Sequence, residues 1–273
     1  MSSNLLEVRK LKVAFPSPNG PVTAVESISF DVPQGQITAI IGESGSGKSA
    51  TCLAVMGLLD SAEVRGDIRF AGTATPLSAG ERALAPLRGR KIAMIFQDPI
   101  GSLNPVRTIG SHIIETLLEL CGHMSRAAAR RQVNDLLRAV RLPDPEALLS
   151  CYPHELSGGM SQRVMIALAL AGKPDLLLAD EPTTALDVTV QREILELLAH
   201  LRDDQGLTII LVTHDIDIAR DYADQVLVLR GGDIVENGPT ACLLDNPQDA
   251  YTRELLANAL SLDGWPAELS AHV

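Results

Sequence analysis

The run Gln36-Ile37-Thr38-Ala39-Ile40-Ile41-Gly42-Glu43-Ser44-Gly45-Ser46-Gly47-Lys48-Ser49-Ala50 decides the fold. Residues 36–41 are rich in β-branched and apolar side chains and read as a buried strand. Residues 48–58 read as a helix, so the segment between them turns a strand directly into a helix. That segment fits G-x-x-x-x-G-K-[ST] from Gly42 to Ser49 and sits in the context the pattern needs. Gly42, Gly45 and Gly47, with Ser44 and Ser46 between them, let successive backbone N–H groups turn toward one point, and the positive end of the helix reinforces them. The matching ligand is a polyphosphate. Lys48 adds a point charge for the β- and γ-phosphates, and the Ser49 hydroxyl is suited to Mg²⁺, which keeps most of its waters and bridges the same phosphates.

Outward from this loop, short β-branched runs alternate with helical patterns, which favours a largely parallel sheet covered by helices. Further strands are expected at 91–96, 176–179, 208–212 and 225–229. The first thirty residues differ: 5–15 and 22–32, separated by Pro16-Ser17-Pro18-Asn19-Gly20, suggest an antiparallel pair. Residues 98–160 break the rhythm. Ile113, Ile114, Leu117 and Leu118 have helical spacing within 109–120, 125–140 is an Ala- and Arg-rich helix, and Pro143 and Pro145 mark a turn. A helical subdomain inserted in the sheet domain is the expected organisation. Another helix is expected at 188–201. The strand at 176–179 ends in Asp180-Glu181. Side chains at the C-terminal end of a parallel strand reach the ligand crevice. Asp180 is placed to hold Mg²⁺, and Glu181 to orient or deprotonate an attacking water.

Composition narrows the field. With 23 basic and 34 acidic residues in 273, the net charge of −11 argues against a nucleic-acid surface as the main function. Aromatics are 3%, so the core must rest on Leu, Ile, Val and Ala. Cys52, Cys121, Cys151 and Cys242 are scattered without a CxxC pair, which fits a reducing compartment. The N-terminus has no signal-like segment, and no run approaches the roughly 18–20 apolar residues that span a bilayer. If the protein serves transport, other chains must form the pore.

A second Gly-rich run, Leu156-Ser157-Gly158-Gly159-Met160-Ser161-Gln162-Arg163, heads a helix expected at 160–171, with Ser157 as a natural N-cap. Together with the phosphate loop and Asp180-Glu181, it resembles the signature sequence of ABC-type ATPases. The resemblance covers roughly residues 5–258. It implies an α/β fold of the ABC-type P-loop NTPase kind, a mixed sheet core with an N-terminal antiparallel β part and the inserted helical subdomain. The implied division is a RecA-like core at 1–97 and 161–245, the helical subdomain at 98–160, and a short C-terminal helix and tail at 246–273.

The same resemblance implies ATP hydrolysis with Mg²⁺ held by Ser49, Gln97 and Asp180. Gln97 matches the Q-loop glutamine, which also senses a transmembrane partner. His214, in Thr213-His214-Asp215, matches the switch histidine at the γ-phosphate. Ala185-Leu186-Asp187 matches the D-loop, and Phe15 the aromatic that stacks on adenine. Ser157, Gly158, Gly159 and Gln162 would complete the ATP site of a neighbouring subunit. Two departures are small: Ala50 stands where Ser or Thr often follows Ser49, and Thr184-Ala185 replaces Ser-Ala.

Phe96-Gln97-Asp98-Pro99, Ser102-Leu103-Asn104-Pro105, Tyr152-Pro153-His154-Glu155, Glu181-Pro182-Thr183-Thr184-Ala185-Leu186-Asp187 and Asn246-Pro247…Tyr251-Thr252-Arg253 look like the peptide/nickel importer branch. Implied partners are a second, paralogous ATPase subunit, two transmembrane permease subunits and an extracytoplasmic substrate-binding protein, with no nucleic acid. The implied location is the cytoplasmic face of the bacterial inner membrane. Long peptide-importing members continue into a Cys-rich tail; no cysteine follows Cys242 here, so no iron–sulfur cluster is expected and a nickel or metallophore cargo is the closer likeness. The alternative is an ATPase subunit of a soluble assembly of the phosphonate-degradation type.

Overall fold

The computed structural model describes residues 3–77, 84–99 and 101–263. Two sheets carry the architecture. The first is antiparallel, in the order β2 (Val22–Pro33), β1 (Asn4–Phe15), β4 (Glu63–Phe70), β5 (Thr73–Pro76). The second runs β10 (Asp233–Pro239), β9 (Gln225–Arg230), β3 (Ile37–Ile41), β8 (Thr208–Val212), β7 (Leu176–Asp180), β6 (Ile92–Ile95). All its pairs are parallel except β10 with β9, so the sheet is mixed.

The second sheet is the middle layer, and its strands show why. β3, β6, β7 and β8 are mostly apolar and buried on both faces, as a covered parallel sheet requires. Alternate side chains go opposite ways. Leu176 and Leu178 join Ile40 and Ile210 against the antiparallel sheet and helix α1 (Lys48–Met56). Leu177 and Ala179 join Ile209 and Leu211 against α2 (Ile109–Cys121), α3 (Arg126–Ala139), α5 (Gly158–Leu170) and α6 (Val188–Gln205). The remaining helices are α4 (Pro145–Leu148), α7 (Ile216–Tyr222), α8 (Thr240–Asp245) and α9 (Ala250–Asp263). Near β9, Val226 and Val228 pack with Tyr251 and Leu256 of α9.

Side-chain caps start most of the long helices. Thr108, Ser125, Ser157 and Asp187 each accept a backbone N–H from the first turn of α2, α3, α5 and α6. Several bounds differ from the sequence expectation. Gly57, left-handed at φ 64°, stops α1 before residue 58. α5 starts at Gly158 rather than 160, and α6 runs on to Gln205. α5 is continuous from Gly158 to Leu170 and packs on α2 and α3 as well as on β6 and α6, so the expected boundary at 160/161 falls inside a helix. The expected C-terminal helix is α9; the tail beyond it, 264–273, lies outside the described residues.

Candidate functional site

Parallel register brings four strand ends to one edge. Ile40 and Asp180 both lie opposite Val212, and Ile95 lies opposite Ala179. The loop after β3, Asp180-Glu181 after β7, Thr213-His214 after β8 and Phe96-Gln97 after β6 therefore emerge together. Residues far apart in the chain meet there: Ser49 Oγ donates to Asp180 Oδ1 at 2.9 Å across 131 residues.

The loop itself is tightly seated. Gly42 has φ 149°, and a Cβ there would lie 2.2 Å from the Leu229 carbonyl oxygen, so only glycine fits. Lys48 is buried, and its ammonium donates to the Gly42 and Glu43 carbonyls at 2.7 and 2.8 Å. Burial pulls the Lys48 ammonium below its ordinary range, against the opposing pull of Glu181, Asp180 and Glu43. The Asp180 carboxyl is pushed up by burial and by Glu181, while the Ser49 hydroxyl and Lys48 hold it down. Ala50 and Phe15 are half-buried and pack beside the core under α1.

Glu181 is the hub. It sits at φ 46°, a left-handed conformation uncommon outside glycine, with its N–H on the Val212 carbonyl. Gln97 Nε2 donates to its Oε2 at 2.9 Å and Thr184 Oγ1 to the same oxygen at 3.0 Å. His214 Nδ1 lies 3.5 Å from Oε1. A cleft of about 230 Å³ lined by Glu181, Thr184, Leu186 and His214 opens beside it. The His214 side chain is mostly exposed, while neighbouring Thr213 is buried and Asp215 caps α7.

The second Gly-rich run is presented differently. Ser157 and Gly158 are exposed at the start of α5, next to Ala185-Leu186-Asp187: Gly158 faces Leu186, and Gly159 faces Val190 in the first turn of α6. Asp187 spends one carboxylate oxygen capping that helix, accepting from Val190 N at 3.0 Å. Gln162, grouped with this run from sequence, is buried in α5 at 2% exposure and does not share the exposed surface. Its place one turn into a helix packed on all sides accounts for that.

The site suits a triphosphate with a hard cation. Ser46 Oγ is buried in the loop with no hydrogen-bond partner among the described residues. Ser49 and Asp180 offer oxygen donors at one place, and Gln97 is held nearby through Glu181. Among the described residues no group of three His, Cys, Asp or Glu side chains could by itself hold a metal ion.

Sequence reading did not anticipate two members of this constellation. Thr184 was visible in the Glu181–Asp187 run without a role. Tyr251, which accepts the Glu43 N–H at 3.2 Å, is 208 residues away, beyond any local pattern.

Fold and site together define a phosphate-loop ATPase cassette. The ABC transporter family model matches residues 25–184, and the chain belongs to that family. It is 49% identical over 256 residues to the peptidoglycan transport ATP-binding protein YejF of Agrobacterium fabrum, covering 93% of this chain and 46% of that protein. It is 46% identical over 257 residues to the dipeptide transport ATP-binding protein DppD of Haemophilus influenzae, covering 92% of this chain and 76% of the relative. The chain thus spans about half the length of the first relative and three quarters of the second. The dimeric post-hydrolysis structure of the ATP-binding cassette MJ0796, bound to ADP and Pi, superposes with a TM-score of 0.75 at 29% identity, covering 86% of this chain and 98% of that one.

Proposed function

We propose that the chain is the ATP-hydrolysing subunit of a bacterial importer, working as one of a pair of cassettes beneath two membrane permeases fed by an extracytoplasmic binding protein. The observation that carries the reading is the network on Glu181, which joins Gln97, Thr184 and His214 at the sheet edge where Lys48 and Ser49 emerge.

ATP enters with its phosphates on the loop amides, Ser46 and the Lys48 ammonium, and its adenine near Phe15. Lys48 is already aimed by the Gly42 and Glu43 carbonyls, so little reorganisation accompanies binding. Ser49, Asp180 and Gln97 are the residues that would hold Mg²⁺, which supplies charge neutralisation of the phosphate oxygens when bound. Glu181 orients the attacking water and takes its proton, its carboxylate fixed by the donors from Gln97 and Thr184. His214, largely exposed at the surface, reaches the terminal phosphate. Ser157, Gly158 and Asp187 face the nucleotide of the other cassette.

No helix among the described residues is long and apolar enough to cross a membrane. One observation supports a membrane partner. Phe96, next to Gln97 in the chain, and Val106 and Tyr152 are exposed large apolar side chains suited to receive a permease's cytoplasmic helix. Peptides are the favoured cargo. The names of the relatives speak of dipeptide and peptidoglycan transport, which outweighs the nickel or metallophore likeness drawn from the short tail.

The test is Glu181→Gln in the assembled complex. ATP binding should persist while hydrolysis falls roughly 10²–10⁴-fold; hydrolysis at the wild-type rate sinks the assignment.

A further inference from the structure

The Asn246-Pro247…Tyr251-Thr252-Arg253 run stands out in the sequence, yet none of the hydrolytic roles uses it. In the fold it opens α9, and α9 is firmly moored. Glu236 of β10 accepts the backbone N–H groups of Gln248 and Asp249 at 2.8 and 3.2 Å. Asp249 Oδ1 accepts the Tyr251 N–H at 2.8 Å, fixing the first turn. Tyr251 is 3% exposed, packed in the core, with the Arg230 guanidinium 4.7 Å from its ring centroid. A buried ring between a hydrogen-bonded helix start and a stacked cation presents its hydroxyl at a defined point.

That point is the phosphate loop. The Tyr251 hydroxyl oxygen accepts the Glu43 N–H, and this N–H belongs to the same planar peptide unit as the Gly42 carbonyl. In a trans peptide the two groups point opposite ways. Holding the N–H toward α9 therefore turns the carbonyl toward Lys48, whose ammonium meets it at 2.7 Å. The unit needs holding, because Gly42 lacks the side chain that would resist a flip.

We propose that Tyr251 is a positioning residue of the phosphate loop, setting the Gly42–Glu43 peptide so that Lys48 is aimed for the nucleotide. The C-terminal helix thereby sets nucleotide affinity from the opposite end of the chain. The proposal rests on Lys48 being the phosphate ligand.

Tyr251→Phe keeps the ring and its stacking and removes the hydroxyl alone. In titrations of the full chain with a fluorescent ATP analogue, it should weaken binding about tenfold, the scale of one lost hydrogen bond. In the assembled ATPase, KM should rise by a similar factor with kcat within about twofold of wild type, and Tm should stay close to wild type. On a Lys48→Ala background the same substitution should change affinity little further, since the effect passes through Lys48. Unchanged affinity in Tyr251→Phe, or a full additional loss on the Lys48→Ala background, overturns the proposal. Undiminished binding in Lys48→Ala alone would instead overturn the phosphate-ligand assignment. If Tyr251→Phe fails to fold, Arg230→Gln, which loosens the ring but leaves the hydroxyl, should weaken binding in the same direction; no weakening there also overturns the proposal.

Discussion

At Glu181 a non-glycine residue holds a left-handed backbone, which costs about 1–3 kcal/mol. The surroundings sustain it: the N–H continues the strand pairing to Val212, and Gln97 and Thr184 both donate to one carboxylate oxygen. Thr184 is the less obvious of the two. Thr184→Val, isosteric but without the hydroxyl, should lower hydrolysis about fivefold and leave ATP binding intact, one neutral-donor hydrogen bond being worth roughly 1 kcal/mol; steady-state kinetics and nucleotide titration separate the two effects. Gly42 makes a harsher demand. A methyl there meets a backbone oxygen at 2.2 Å, which no rotamer change relieves. Gly42→Ala should therefore destabilise the chain by on the order of 2 kcal/mol or more and remove ATP binding, read by denaturant melts and titration.

At the scale of elements, the mooring of α9 is electrostatic and so depends on pH. Burial raises the Glu236 carboxyl, but the Gln248 backbone N–H, the Thr252 side chain and the Asp249 backbone N–H together outweigh it and hold the group below the ordinary carboxylate range. A depressed carboxylate contributes stability that is present above its unfolded pKa and lost as pH falls through the folded value. Protection of α9 amides from hydrogen exchange should thus be full near neutrality and fall in acid, while Glu236→Gln should show reduced protection near neutrality with little further acid dependence. Elements like this one differ in how legible they are from sequence. β3, β7 and β8 are apolar runs bounded by turn residues, and each was readable. β4 was not, because Glu63, Arg65, Asp67 and Arg69 fill its exposed face and leave only Ile68 and Phe70 fully buried. β10 is a half-exposed edge strand with little apolar content, and β5 has four residues; neither carries a periodic signal. In the site, residues next to a strand end or in a motif were legible, while the Tyr251 contact required knowing which helix returns to the loop.

At the scale of the molecule, the exposed signature residues and the D-loop form one continuous surface, because Gly158 lies on Leu186 at the start of α6. The phosphate loop belongs to the other half of the arrangement, the sheet edge with Asp180 and Glu181. On the proposed pairing, the chain would supply the loop half of one nucleotide site and the signature half of another. The two halves should then fail separately. Lys48→Ala should silence the site whose loop this chain provides, and Ser157→Arg the site whose signature it provides. With the partner cassette wild type, each variant should leave about half of the ATP that the assembled pair traps, and both substitutions in the same chain should leave none. On that pairing, a bulky cation at the exposed cap of α5 would block only the partner's nucleotide. Trapped nucleotide is counted after rapid gel filtration of the complex. If Ser157→Arg instead abolished binding to this chain's own loop when it is purified alone, the signature would be acting within one molecule and the paired arrangement would be wrong.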